Sequence, residues 1–374
     1  MPRAIIITYP KEYAKKEAIA LAEAAGYDIS AIVTQQYLTR AKYGIGVGKA
    51  YKVKELVDKL KPDVIIFDEV IGPSQTYNLA SLLQVEIIDR ERLILDIFEK
   101  RAKSAESSIQ VKLAQLRYEV ARVREKVRLA KKGEQPGFYG LGRYEVDDYY
   151  RDIKRRISIL KRKLAKVSSR RELYRYYRER QGLHSISLAG YTSAGKTTLF
   201  NTLVDEHHDT SIKMFSTLST YTRTLNLKEG KVLLSDTVGF ISKLPAYMIE
   251  AFKSTLDELR YADLILLVID ISEPIDEIVK KYHSCIDILN ELQVNPNKII
   301  HVLNKVDLID NEDLVNKTQV LKLEDYIAIS AKKRINIDKL LAKIEERIFK
   351  PKEDVKQKHL DLVLVDAIDY DSYT

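Results

Sequence analysis

The segment Gly190-Tyr191-Thr192-Ser193-Ala194-Gly195-Lys196-Thr197 has the spacing G-x-x-x-x-G-K-[ST], follows an apolar run at 184–189 and opens a helical pattern at Thr198-Leu199-Phe200. In strand, loop, helix order, such residues make a phosphate cradle. Successive backbone N–H groups and a helix N-terminus converge on an anion, a lysine reaches the outer phosphates, and a hydroxyl ligates Mg²⁺. Lys196 and Thr197 have the right chemistry for the last two tasks. Downstream, Leu233-Leu234-Ser235-Asp236-Thr237-Val238-Gly239 places Asp-x-x-Gly at the end of a second apolar run. Asp236 can hold Mg²⁺ through water, and the Gly239 N–H can bond a terminal phosphate and so register its presence.

Two further segments address a base. Asn304-Lys305-Val306-Asp307 follows the apolar run 299–303, and Ser330-Ala331-Lys332 follows the run 326–330. A carboxylate at Asp307 can accept from both N1–H and the 2-amino group of guanine. Adenine offers neither donor, so it would leave that carboxylate unsatisfied and be rejected. Ser330, Ala331 and Lys332 would close over the base. Four elements in order, each at the C-terminal end of a strand where open α/β sheets bind ligands, predict a site for GTP and GDP.

The elements that must position these residues fall into three parts and a tail. Over residues 1–100, strands at 4–9, 29–34, 64–68 and 85–89 alternate with helices at 11–25, 50–60 and 77–83, which predicts a small α/β unit with a parallel sheet. Its Gly44-Ile45-Gly46-Val47-Gly48-Lys49 turn could approach a phosphate, but it lacks the spacing of a dinucleotide fingerprint or a Walker loop, so a plain flexible loop is expected. Over 101–182, Leu113, Leu116, Val120, Val123 and Val127 recur at steps of three and four. Ile153, Ile157, Leu160, Leu164 and Val167 do the same, predicting two long helices in an antiparallel hairpin. Residues 183–350 alternate strands and helices again: a larger α/β domain with a mostly parallel sheet, helices on both faces, and a last helix at 337–349. The tail 351–374 has no assignable role.

Charge is unevenly spread. The net charge is +8, yet residues 101–180 hold 24 Lys and Arg against 10 Asp and Glu, so the rest of the chain is net negative. Arg122, Arg124, Lys126, Arg155, Arg156, Lys161, Arg162 and Lys163 fall off the apolar seams and are expected to decorate the outside of the hairpin. Such a surface suits a polyanion, because each neutralised phosphate releases counterions. The hairpin loop at 131–144 combines Gly, basic residues and three aromatics, more than a simple turn requires. The single cysteine, Cys285, rules out an intramolecular disulfide framework or a Cys-based zinc cluster, and is expected to be a small buried hydrophobe. The longest apolar runs are far too short for a membrane span, and the N-terminus lacks the apolar stretch of a signal peptide. A cytoplasmic protein, monomeric in solution, is the expectation.

Beyond the nucleotide motifs, Phe215-Ser216-Thr217-Leu218-Ser219-Thr220-Tyr221-Thr222-Arg223 and Asp236-Thr237-Val238-Gly239-Phe240-Ile241 resemble the HflX family of ribosome-associated GTPases, within the TRAFAC class. Phe67-Asp68-Glu69, Ser74 to Leu79, Ile88 to Phe98 and Gln110 to Leu116 carry the likeness outside the nucleotide motifs, so it spans roughly residues 1 to 350. The resemblance implies a P-loop GTPase domain preceded by an α/β domain with a helical hairpin, and GTP hydrolysis with Mg²⁺. It also implies a nucleotide-dependent switch on the large ribosomal subunit, met through the basic hairpin and the N-terminal domain, of a kind that splits or rescues ribosomes. A large-subunit assembly GTPase and a non-catalytic adaptor are the alternatives. Thr217 would complete Mg²⁺ coordination and contact the γ phosphate, joining Lys196 and Gly239 in hydrolysis and Thr197 and Asp236 at the metal. Phe240 stands where Ras-like enzymes have the glutamine that orients the attacking water. An aromatic ring cannot do this, so slow intrinsic hydrolysis is expected, with water positioned by backbone, another side chain or the ribosome. Ser193 replaces the family's Asn, which related GTPases use for K⁺, and the hairpin loop has Gly133-Glu134-Gln135-Pro136-Gly137-Phe138 in place of a Gly-Pro-Gly-Glu run.

Overall fold

The computed structural model describes residues 1–102, 104–131, 143–205, 221–242 and 245–349. Thr217, the hairpin loop at 132–142 and the tail 351–374 lie outside them, as do the side chains of Arg124 and Lys126.

Two parallel-rich sheets organise the chain. The first has strands β1 (Arg3–Thr8), β2 (Asp28–Thr34), β3 (Val64–Phe67) and β4 (Glu86–Asp89) in the order β2-β1-β3-β4, all parallel. The Ala4 to Ile7 run is fully buried, as a parallel strand covered on both faces must be. Helices α1 (Glu12–Ala24), α2 (Val47–Leu60) and α3 (Pro73–Leu83) make the connections. The Gly44 turn is not a loose loop. Gly44 has φ +74°, a Cβ there would lie 2.6 Å from the Phe67 ring, Ile45 is buried, and Val47 already begins α2. Gly44 serves close packing, whereas Gly46 and Gly48 have room for a side chain.

Helix α4 (Arg90–Arg101) starts directly after β4, capped by the Asp89 side chain, which accepts from Arg92 N–H at 2.9 Å. The hairpin follows as α5 (Ala105–Lys131) and α6 (Arg143–Arg180). Leu113, Val123 and Ile153 of the expected seams are buried, and Ile157, Leu160 and Leu164 pack partly buried against the same core. Arg155, Arg156, Lys161, Arg162 and Lys163 are exposed, as expected. Arg122 is not. It donates to Asp89 Oδ2 at 2.6 Å, Tyr118 Oη at 2.6 Å and Thr76 Oγ1 at 2.7 Å. A buried carboxylate at the end of β4 needs a cation, and this arginine supplies it.

The second sheet contains β5 (His184–Gly190), β6 (Tyr221–Asn226), β7 (Lys231–Asp236), β8 (Leu264–Asp270), β9 (Ile299–Asn304) and β10 (Tyr326–Ala328), in the order β10-β9-β8-β5-β7-β6. Every pair is parallel except β6 with β7. Strand β6 went unread in the sequence because it lies at the sheet edge, where only Leu225 of Tyr-Thr-Arg-Thr-Leu-Asn is buried. Helices α7 (Lys196–Val204), α8 (Ala246–Ala251), α9 (Lys253–Tyr261), α10 (Ile275–Glu291), α11 (Asn311–Leu321) and α12 (Ile337–Phe349) complete this part. Cys285 is buried on α10, and burial pushes its thiol up to about 12. Among the described residues no helix is long and apolar enough to cross a membrane.

Candidate nucleotide site

The P-loop joins β5 to α7, and its glycines are dictated by space. Gly190 has φ +142° and a Cβ there would meet the Val268 carbonyl at 2.3 Å; Gly195 has φ +95° and a Cβ would meet Asn304 Nδ2 at 2.3 Å. Side chains at either position would force the loop open. Ser193 also takes a left-handed conformation, φ +65°, and is exposed at the loop's crest, while Ala194 is buried beneath it.

Lys196, the first residue of α7, is buried, and its Nζ donates to the carbonyls of Gly190 at 3.0 Å and Tyr191 at 2.8 Å. These bonds bend the side chain back over the loop, toward the space the loop encloses. Burial lowers its pKa, against the pull of Asp236. Thr197 Oγ1 donates to Asp236 Oδ2 at 2.8 Å, so a hydroxyl and a 1 % exposed carboxylate already sit together. Hard oxygen donors of this kind suit Mg²⁺ completed by phosphate oxygens and water, and the metal would neutralise charge on the phosphates. Thr237 Oγ1 donates to the Leu188 carbonyl at 2.6 Å, and Val238 is buried. Gly239 packs against the P-loop: a Cβ would fall 2.9 Å from Thr192 Cγ2 and 3.0 Å from Lys196 Nζ. Phe240 bridges to Tyr191, with Thr192 N–H donating to Phe240 O at 2.8 Å and Phe240 N–H to Gly190 O at 3.0 Å. Its ring is buried in the core.

The base-facing segments converge on the same loop. Asn304 Nδ2 donates to the Ala194 carbonyl at 2.9 Å while its Oδ1 accepts from Ala331 N–H at 3.0 Å, tying the P-loop to the Ser330 loop. Lys305 has φ +69° and pairs with Asp270. Asp307 has its carboxyl held below the usual range, first by a hydrogen bond with Ser330 and then by Lys333 at 3.5 Å. Ser330 is buried, Lys332 exposed, and Thr198 half-buried on α7. The structure therefore gathers every described member of the expected set.

One feature of the site was not read from the sequence. Arg90 donates to Asp68 Oδ1 at 2.5 Å, to Glu17 Oε1 at 2.8 Å and to Ser242 Oγ at 3.1 Å. Glu17 also accepts from the Tyr191 hydroxyl at 2.7 Å, and Tyr191 Oη accepts from Ser242 N–H at 2.7 Å. The N-terminal sheet thus touches both the P-loop and the segment after Asp-x-x-Gly. Burial works against the Arg90 charge, but Asp68 and Glu17 more than offset it, so its pKa lies above the ordinary value. These residues are 152 to 225 positions apart where they cross between the sheets, and ordinary in type, so no local pattern marked them.

With this geometry in view, three family models match in series: "GTP-binding GTPase N-terminal" over residues 12–99, "GTP-binding GTPase Middle Region" over 101–178, and "50S ribosome-binding GTPase" over 185–305. A GTPase HflX of Thermococcus kodakarensis is 44% identical over 321 residues, covering 83% of this chain and 73% of its own. The chain belongs to the HflX family of GTPases. A GTPase HflX of Methanocaldococcus jannaschii is 41% identical, covering 92% of this chain and 86% of its own. A GTP-binding protein of Sulfolobus solfataricus, solved in complex with GDP, is 28% identical with TM-score 0.50 over 93% of this chain and 99% of its own. As an HflX GTPase the chain binds guanine nucleotide and hydrolyses GTP, and the P-loop domain expected from the motifs is present.

Proposed function

We propose that this HflX GTPase is a nucleotide-dependent switch on the large ribosomal subunit, of the splitting or rescue type, working in the cytoplasm. Lys196 and the P-loop amides from Tyr191 to Thr198 hold the phosphates. Thr197, Asp236 and Thr217 hold Mg²⁺, Gly239 senses the γ phosphate, and Asn304, Lys305, Asp307, Ser330, Ala331 and Lys332 build the guanine pocket. The exposed basic face of α6 meets ribosomal RNA.

The observation that carries this reading is the physical link between the two ends. Arg117 of the hairpin donates to the Tyr247 carbonyl at 3.0 Å and to Glu250 at 2.5 Å, on α8 just after the Asp-x-x-Gly segment. Lys161, on the exposed face of α6, lies 3.7 Å from the same Glu250. An RNA surface that captures the basic face therefore competes with Glu250 for Lys161, on the helix that follows the Asp-x-x-Gly segment.

Co-sedimentation tests this. Retention on mature large subunits with a non-hydrolysable GTP analogue, and release with GDP, is expected. Preferential binding to precursor particles would point to assembly instead, and absence of multiple-turnover phosphate release would point to an adaptor.

A further inference from the structure

With phenylalanine at position 240, the task of orienting the attacking water falls to some other group. The ring cannot take a new polar role, and its backbone is tied on both sides to the P-loop through the bonds to Thr192 and Gly190. The hydroxyls around Lys196 and Gly239 are the natural replacements, and most are committed. Thr197 donates to Asp236, Thr237 donates to the Leu188 carbonyl, and Ser242 donates to Glu17 at 3.0 Å. Lys196 is a cation without a lone pair to offer.

Thr192 is different. It is 5 % exposed, and its Oγ1 is buried with no hydrogen-bond partner among the described residues. A buried polar group left unpaired calls for a functional or structural reason. Its position supplies one. Thr192 Cγ2 and Cα are the atoms a Cβ on Gly239 would meet, at 2.9 and 3.1 Å, with Lys196 Nζ at 3.0 Å. The side chain therefore stands beside the glycine assigned to the γ phosphate, where the lysine Nζ also comes close.

We propose that Thr192 Oγ1 is the catalytic group that orients the attacking water, an inference that rests on the assignment of Lys196, Asp236 and Gly239 to the phosphates. One staggered step about χ1 carries the hydroxyl to the position the methyl holds, the methyl moving to where the Cβ hydrogen stood. The turn breaks no hydrogen bond among the described residues, where the hydroxyl makes none. A hydroxyl both accepts and donates, so it accepts a hydrogen bond from the water and donates one to a γ-phosphate oxygen. The water oxygen forms the new bond to the γ phosphorus. The bond from that phosphorus to the β–γ bridging oxygen breaks, its electron pair staying on GDP, and the water's proton passes to a phosphate oxygen. Thr192 itself neither gains nor loses a proton.

The test uses the full chain and the variants Thr192→Val, which keeps the shape and removes the hydroxyl, and Thr192→Ser, which keeps the hydroxyl. Multiple-turnover phosphate release and the affinities for GDP and a non-hydrolysable GTP analogue are measured for each. The expected result is a fall in kcat of about 100-fold for Thr192→Val with both affinities unchanged, and a rate close to the parent for Thr192→Ser. A parental rate in Thr192→Val overturns the proposal. So does an equal fall in both variants, or a fall in rate matched by a fall in affinity, because either would make Thr192 a packing residue. Failure of the parent chain to bind GTP would instead overturn the site assignment beneath it.

Discussion

The C-terminal edges of the two sheets face each other across Tyr191, Ser242, Glu17 and Arg90, yet they are finished in opposite ways. On the second sheet, Gly190, Gly195 and Gly239 clear side chains from the loop ends, and backbone amides are left to meet an anion. On the first sheet, the strand ends carry charge that is already answered: Asp68 with Arg90 and Thr8, Asp89 with Arg122 and Tyr118. A cavity of about 630 Å³ lies against this first edge, lined by Tyr9, Tyr37, Asp68 and Arg90 among others. Asp68, Glu17 and Arg90 in its wall are spent on one another. Two similar parallel edges thus differ in function because one is built from space and the other from ion pairs, which is why fold alone does not assign a site.

Breaking the ion-paired edge should have the largest effect. Removing Arg90, as in Arg90→Ala, strands Asp68 and leaves Glu17 with one cation fewer, and a loss of about 3–5 kcal/mol in unfolding free energy is expected in urea titrations. Removing the cradle's lysine comes next. Lys196→Ala should cut GTP hydrolysis about 100- to 1,000-fold in phosphate-release assays while leaving the unfolding midpoint near its parental value, because the cost falls on the transition state. That pair of results separates the structural edge from the chemical one; equal effects of both variants on both measurements would erase the distinction.

The base pocket sharpens the contrast further. Asp307→Asn keeps the shape but loses a charged acceptor, and competition titrations should show GTP affinity falling by about 1.5–3 kcal/mol with guanine preference reduced. The smallest effect per residue belongs to the hairpin surface. Charge reversal at Arg155, Arg156, Arg162 and Lys163 should leave GTP binding intact. The salt dependence of ribosome binding, read as log K against log salt, should flatten by about 0.7–0.9 for each RNA phosphate that is no longer neutralised.

The nucleotide site was legible in the sequence because phosphate and guanine chemistry constrain residue types at consecutive positions. Gly190 to Thr197, Asp236 to Gly239 and Asn304 to Asp307 each announce themselves within a few residues. The buried strands were equally plain, since runs such as Ala4 to Ile7 and Leu264 to Ile269 have one way to be satisfied. What escaped is what depends on distant partners. Tyr221–Asn226 carries no strand pattern of its own until β7 lies beside it, and Arg122 reads as surface until Asp89 needs a cation. Gly44 looks like part of a ligand loop or a slack one until the Phe67 ring packs against it. The Glu17, Arg90, Tyr191 and Ser242 cluster exists only once two sheets meet.

The most direct test of the central claim is GTP hydrolysis by the purified chain, alone and with large ribosomal subunits from a matched source, followed together with co-sedimentation. Slow turnover alone, acceleration by the subunits and binding that requires the GTP-like state are the predicted result. Binding that ignores the nucleotide, or hydrolysis that ignores the ribosome, would contradict it.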